Sequence, residues 1–366
     1  MSSRPSLRIV IAGGGTGGHL FPGLAVAREL LARDASARVT FAGTAGGIEA
    51  RLVSRAGLEL DLIRSGALKG TSRTARLRGI ALLPLSALDA WRLLSRRTPG
   101  VVVGVGGYSS GPVVAIAAVR GIPTLLLEQN AVPGLTNRLL APLVRSAAVT
   151  YEASLRYFKG GKGFVSGNPV RPEFLDIADA PRDASRLRVL IFGGSQGAHA
   201  INMAVAEAAP RLAAAAERLD VTCQTGERDL AMVREACRRS GLDARVEPFF
   251  EAMDREVSAA HMVVSRAGAT TLAEITAAGR PAILIPLPTA TDDHQRMNAD
   301  VLGRAGAAEL IDQAVLTGSL LAERILALAG DSPRRAAMAA AARLLARPDA
   351  ASRIVDRVIE LAESRR

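Results

Sequence analysis

The stretch LRIVIAGGGTGGHLFPGLAVAREL, residues 7–30, joins a short apolar run to a glycine-rich turn and then to a segment with helical spacing. Leu7 to Ala12 is too short for a helix and rich in β-branched side chains, the pattern of a buried strand. Gly13, Gly15 and Gly18 then form a literal G-x-G-x-x-G. Consecutive glycines let the backbone turn sharply and approach a ligand, and the next helix offers N–H groups and the positive end of its dipole. An anion such as a phosphate or diphosphate is the natural guest of such a turn.

A dinucleotide site would make a further demand, for an Asp or Glu at the end of the second strand to hold the ribose hydroxyls. That strand ends VTFAGTAGG, residues 39–47, with Gly43 and Thr44 in the place of the carboxylate. The dinucleotide reading fails on this point. The sequence also lacks G-x-x-x-x-G-K-[ST] and any D-x-D pair of the kind that holds a metal-bound nucleotide diphosphate.

Apolar runs alternate with helical patterns along the whole chain. LRIVIAG, ARVTFAG, GVVVGVGG and PTLLLEQN lie in the first half; LRVLIFGG, LDVTCQTG, HMVVSRAG and PAILIPLP lie in the second. This alternation predicts an α/β fold with parallel strands and crossover helices. Residues 7–19 and 187–199 align without a gap and agree at seven positions, His19 with His199 among them. Two Rossmann-like domains, with parallel sheets facing across a cleft, are therefore expected. The boundary falls near residue 167, within KGGKGFVSGNPVRPEF, giving domains over 1–167 and 168–349. An amphipathic helix over about 350–366, with Ile354, Val358 and Leu361 on one face, is predicted to pack back on the first domain.

The 366 residues exceed what one core usually holds, and 49% hydrophobic with 22% charged residues excludes a disordered chain. No apolar stretch reaches the ~18 residues of a spanning helix. The N-terminus has no signal-peptide pattern, so a cytoplasmic location is expected. Cys223 and Cys237 form no C-x-x-C, and the four histidines show no metal-ligand spacing, so neither a metal nor a cofactor is expected. The net charge of +11 is mostly local: residues 64–97 hold Arg64, Lys69, Arg73, Arg76, Arg78, Arg92, Arg96 and Arg97 against Asp89 alone. Within this segment Leu82, Leu83, Leu85, Leu88 and Trp91 are flanked by arginines, a mixture suited to an anionic membrane surface. With 3% aromatics and no nucleic-acid motif, a nucleic-acid partner is not expected.

Two more glycine loops follow strands, GGYSSG at 106–111 and GGSQGAH at 193–199. In the second half, SRAGATTLAEITAAGRPAILIP (265–286) opens a helix through Thr270 and Thr271, where hydroxyls and N–H groups suit phosphates. Glu274 follows one turn later, and its two oxygens match the two donors of a ribose. TDDHQRMNA (291–299) adds Gln295 and Asn298, suited to sugar hydroxyls.

Six stretches in this order, GGGTGGHLFPGLAVA, GGYSSGP, EQNAVPGLTN, GNPVR, GGSQGAHAIN and SRAGATTLAEITAAGRPAILIPLP, resemble the MurG-type N-acetylglucosaminyltransferase family. The likeness covers nearly the whole chain, with no motif to match over 310–366. It implies the GT-B architecture and inverting transfer of N-acetylglucosamine from UDP-N-acetylglucosamine to undecaprenyl-pyrophosphoryl-N-acetylmuramoyl-pentapeptide, lipid I to lipid II, at the cytoplasmic face of the membrane. The donor would belong to the second domain and the lipid-linked acceptor to the first.

By the same resemblance, Gly15, Thr16, Gly17 and Gly18 would line the diphosphate and acceptor side, with Asn130 and Gln295 holding the donor sugar. Arg171, Ser195, Thr270 and Thr271 would face the nucleotide phosphates, on the turn that also contains Ala269, Leu272 and Ala273. Glu274 would grip the ribose, and the backbone at Phe250 would meet uracil. Tyr108 and Glu128 would contact the acceptor. Two positions depart from the family pattern: Phe250 replaces a smaller aliphatic residue, and Leu127 stands where a histidine is frequent. Inverting transfer needs a base for the attacking hydroxyl, and His19 is the candidate. Another GT-B transferase or a UDP-N-acetylglucosamine epimerase would share this scaffold, and a basic nucleic-acid-binding protein is a more distant alternative.

Overall fold

The computed structural model describes residues 6–66, 79–177, 186–194 and 197–364. Ser195 lies outside the described residues, as do Lys69, Arg73, Arg76 and Arg78. The chain forms two compact units, one of Met1–Arg171 with Arg347–Arg366 and the other of Pro172–Ala346.

The first unit is built on a parallel sheet in the order β3-β2-β1-β4-β5-β6-β7. Its strands are β1 (Arg8–Gly13), β2 (Arg38–Gly43), β3 (Glu59–Leu62), β4 (Val101–Gly106), β5 (Thr124–Glu128), β6 (Ser146–Val149) and β7 (Gly163–Val165). The crossovers include α1 (Gly17–Arg33), α2 (Glu49–Arg55), α3 (Leu83–Arg97), α4 (Ser110–Val119) and α5 (Leu135–Leu140). A strand covered on both faces has no solvent side, which is why VVVGVG of β4 is buried at every position. One face packs Ile9, Ile11, Val103 and Leu125 against Leu20, Leu24 and Leu30 of α1. Ile354, Val355, Val358 and Leu361 of the last helix join this same core. Across the sheet, Val10, Val102 and Leu126 pack with Leu93, Leu94, Val113 and Val114.

The second unit repeats the plan with a parallel sheet in the order β10-β9-β8-β11-β12-β13. These strands are β8 (Leu187–Phe192), β9 (Leu219–Gln224), β10 (Ala244–Glu247), β11 (Met262–Ser265), β12 (Ala282–Leu284) and β13 (Ala308–Leu310). Its helices are α6 (His199–Ala213), α7 (Leu230–Ser240), α8 (Met253–Ala259), α9 (Ala269–Ala277), α10 (His294–Arg304), α11 (Gly318–Gly330) and α12 (Ser332–Leu345). The chain then returns to the first unit as α13 (Ala350–Glu363). Val189, Ile191, Val221 and Val264 form the centre of the second core, with Ile201, Val205 and Leu212 of α6 above them.

In each sheet the strand order reverses at the first strand of the unit, between β1 and β4 and between β8 and β11. Ligands of open α/β sheets bind outside the carboxyl ends of the strands at such switch points. All three glycine loops follow strands that flank one of them.

Candidate functional site

At the first switch point Gly13 and Gly106 are register partners. A Cβ on Gly13 would come 2.5 Å from the Gly106 carbonyl oxygen, and one on Gly107 would come 2.4 Å from the carbonyl oxygen of Gly14. The loops after β1 and β4 therefore press backbone on backbone, which no larger residue would permit. Tyr108, partly exposed, lays its ring on Gly15, whose Cβ would lie 3.3 Å from the phenol oxygen.

Thr16, in extended conformation, is the cap residue of α1, and its carbonyl accepts from the amides of His19 and Leu20 at 3.2 Å each. Its hydroxyl lies 3.1 Å from His19 Nδ1. The half-buried imidazole rests on Gly106, where a Cβ would sit 2.7 Å from Cδ2 and 3.1 Å from Nε2. In the tautomer whose Nδ1 donates to the Thr16 hydroxyl, Nε2 is the ring's proton acceptor. Gly17 is half-buried, while Thr16 and Gly18 are exposed.

Glu128, expected to contact the acceptor, is the last residue of β5. It is only 3% exposed and lies beneath the loop it organises. Oε1 accepts from the amide of Asn130 at 2.9 Å and its Nδ2 at 3.3 Å; Oε2 accepts from the Gly134 amide at 3.2 Å and Asn137 Nδ2 at 2.8 Å. Burial raises its pKa above the usual carboxylate range, and these donors only partly offset that. Asn130 is thereby fixed at the end of β5. Arg171 stacks its guanidinium 4.8 Å above the Phe21 ring of α1.

Glu49 was not singled out from the sequence, yet it is fully buried against the first glycine loop. Its carboxylate accepts from the Gly15 amide at 3.0 Å and from the amide and hydroxyl of Thr44, each at 2.9 Å. Burial acts to raise its pKa, but the Gly15 and Thr44 donors outweigh it and hold the carboxyl below its ordinary value.

In the second unit Gln224, at the end of β9, joins the loops after β8 and β10: Nε2 donates to the Gly194 carbonyl at 2.9 Å, and Oε1 accepts from the Phe250 amide at 2.8 Å. Phe250 is buried beneath Arg245, whose guanidinium lies 4.7 Å from the ring. Its N–H is thus already engaged. Gly268 caps α9, Ala269 and Leu272 are buried, and Thr270, Thr271 and Ala273 are half-buried at the helix start. Glu274 is 8% exposed, one turn into the helix. Gln295 Oε1 accepts from the Ala267 and Leu287 amides at 3.2 and 3.0 Å, joining the loops after β11 and β12. Asn298 Nδ2 donates to the Ala267 carbonyl at 3.3 Å. Asp292 and Asp293, immediately before α10, are both left-handed, with φ of 56° and 53°.

The sequence repeat does not extend to the environments of the two histidines. His199 turns its Nδ1 to Asp229 at 3.0 Å, and Asn202 Nδ2 also donates to that carboxylate at 2.8 Å. Among the described residues no group of three or more His, Cys, Asp and Glu side chains could hold a metal ion.

The described part of the basic segment is less cationic than a count over 64–97 implies. Arg64 forks onto Asp89, while Arg96 and Arg97 bind Asp61 and Arg97 also binds Glu59. Helix α3 buries Ser86, Ala90, Leu93 and Leu94 and leaves Leu85, Leu88 and Trp91, three residues apart, exposed. Arg120 stacks 4.7 Å from the Trp91 ring. No helix among the described residues is long and apolar enough to cross a membrane.

Residues 9–149 match the glycosyltransferase family 28 N-terminal domain and residues 188–354 its C-terminal domain. A protein of Anaeromyxobacter sp. (strain K) is 46% identical over 360 residues, covering 98% of this chain and 94% of its own. One from Pelobacter propionicus is 44% identical over 375 residues, covering 96% and 99% respectively. Both bear the name UDP-N-acetylglucosamine–N-acetylmuramyl-(pentapeptide) pyrophosphoryl-undecaprenol N-acetylglucosamine transferase. The crystal structure of Acinetobacter baumannii MurG superposes with a TM-score of 0.79 at 30% identity, over 97% of this chain and 100% of that one. A UDP-GlcNAc 2-epimerase from Neisseria meningitidis, with a TM-score of 0.70 at 14% identity over 97% of this chain and 100% of that one, shares the fold. The fold is that of the GT-B glycosyltransferases.

Proposed function

This chain belongs to glycosyltransferase family 28, and on that premise we propose that it transfers N-acetylglucosamine from UDP-N-acetylglucosamine to the lipid-linked N-acetylmuramoyl-pentapeptide of peptidoglycan synthesis. The relatives' shared name supplies the substrates, and full-length similarity at 44–46% identity supports carrying them over. The second unit would hold the donor. The N-terminal turn of α9 directs its amides outward for the diphosphate, Glu274 takes the ribose hydroxyls, and the Phe250 carbonyl accepts from the base. Gln295, its oxygen fixed by two amides, presents its NH2 group to the sugar. Arg171 and Asn130 complete the donor contacts in this reading, and Ser195 belongs with them by position in the second glycine loop. The first unit would take the acceptor, beside Tyr108 and the Thr16–Gly18 turn.

The observation that carries the reading is the fixing of His19 between the Thr16 hydroxyl and Gly106. An acceptor hydroxyl oxygen attacks the anomeric carbon, its proton passes to His19 Nε2, and the bond from that carbon to the β-phosphate oxygen breaks. UDP leaves with the electron pair, and the configuration inverts. The exposed row Leu85, Leu88 and Trp91, with Arg92 beside it, would seat the protein peripherally on the cytoplasmic face of the membrane, where its acceptor is anchored.

UDP release measured with and without lipid-linked acceptor tests the reaction class. A transferase releases UDP only when the acceptor is present, whereas an epimerase interconverts UDP-sugars without acceptor and gives no net UDP in either case. His19→Ala and His19→Gln should each abolish most of the transfer; near wild-type rates in both would remove His19 from the role of base.

A further inference from the structure

The second strand of the first unit ends without a carboxylate, but one reaches that place from α2. Glu49 is entirely buried, and three glycines make room for it: a Cβ on Gly14, Gly43 or Gly47 would lie 2.5, 2.5 or 2.2 Å from its side chain. A buried carboxylate is expensive unless several donors compensate it, and here the donors are the amides of Gly15 and Thr44 and the Thr44 hydroxyl. Two of these come from the end of β2, and the third comes from the glycine loop after β1.

The connection runs on toward the chemistry. Gly15, with φ of 85°, precedes Thr16, and the Thr16 hydroxyl meets His19 Nδ1. Glu49 thus anchors the peptide immediately before the residue that orients the imidazole. It also occupies an amide that a bare glycine turn would offer to a phosphate, and it places a negative charge beneath the turn. Both effects disfavour a second anion at Gly15. We propose that Glu49 is a positioning residue for glycosyl transfer: it holds Gly15 and Thr16 so that His19 is aimed, and it reserves the turn for the uncharged hydroxyl end of the acceptor rather than for a phosphate.

This inference rests on the assignment of His19 as base, and a double-mutant cycle separates the two. Glu49→Gln keeps the shape of the side chain but turns one acceptor oxygen into a donor, so one of its anchors is lost. Transfer from UDP-N-acetylglucosamine to lipid-linked acceptor is measured for wild type, Glu49→Gln, His19→Ala and the double variant, with UDP affinity measured in parallel. We expect Glu49→Gln to lower kcat about tenfold or more, to leave UDP affinity within about twofold, and to change the residual rate of His19→Ala by less than about twofold. An equal loss in both backgrounds, or a wild-type kcat for Glu49→Gln, overturns the proposal for Glu49. A wild-type rate for His19→Ala overturns the base assignment and, with it, the route from Glu49. If Glu49→Gln does not fold, Thr44→Val removes a single donor and carries the same cycle; its loss, about two- to fivefold, should likewise vanish beside His19→Ala.

Discussion

The imidazole of His19 rests on the backbone of Gly106, so closely that a methyl group at Gly106 would come 2.7 Å from its Cδ2. The two residues come from different glycine loops, after β1 and β4, which meet because those strands are neighbours in register. An anion-binding turn in sequence is thus, in three dimensions, a seat for a histidine.

Gly106→Ala should displace that ring. Its φ of 96° adds backbone strain of about 1–2 kcal/mol for a non-glycine residue. Steady-state kinetics should show kcat reduced by about tenfold or more, while calorimetry finds UDP affinity unchanged within about twofold.

Glu274→Gln should act on the donor instead. A charge-assisted pair of hydrogen bonds to the ribose becomes a neutral one, for which a rise in KM for UDP-N-acetylglucosamine of about tenfold is expected, with kcat changed only a few-fold. A change confined to kcat would place Glu274 elsewhere.

Leu88→Glu and Trp91→Glu each put a charge on the exposed apolar row of α3, where insertion of a side chain would contribute about 1.5–3 kcal/mol. Co-sedimentation with anionic vesicles at low ionic strength should fall by about tenfold or more, and wild-type binding should weaken as salt is raised. Donor affinity in solution should not move.

Asp61 offers a stability test outside the site. Burial pushes its pKa up, but the guanidinium groups of Arg97 and Arg96 outweigh burial and hold it below the usual carboxylate range. A depressed folded-state pKa means that this stabilisation is complete above the unfolded value, about 4. It is lost as pH falls through the folded value. Asp61→Asn should lower Tm at neutral pH and flatten the fall of Tm on acidification below about pH 4.

The parts legible in the sequence were those with strong local signals. β1 and β8 were marked by apolar runs ending in glycines, and the repeat between them announced two similar units. β3, β6, β7, β10 and β13 were not marked, because strands of three or four residues, some of them carrying Glu59 and Asp61 or Arg245 and Glu247, are too short or too polar to stand out as apolar runs. Glu49 escaped because its partner Gly15 is 34 residues away; the crowding of Gly43, Gly46 and Gly47 before it was the available signal. The burial of Glu128 was not legible because the donors around it, from Asn130, Gly134 and Asn137, are assembled only when the loop after β5 folds over it. The pairing of Arg96 and Arg97 with Asp61 and Glu59 was not legible in a count over 64–97, because both carboxylates lie just before residue 64.

The most direct test of the central claim is product analysis of the purified protein with UDP-N-acetylglucosamine and lipid-linked N-acetylmuramoyl-pentapeptide, following UDP and the new linkage together by NMR. The account predicts one UDP released per disaccharide formed, the new glycosidic bond having the anomeric configuration opposite to the donor's. Retained configuration, or UDP released without acceptor and without disaccharide, would contradict it.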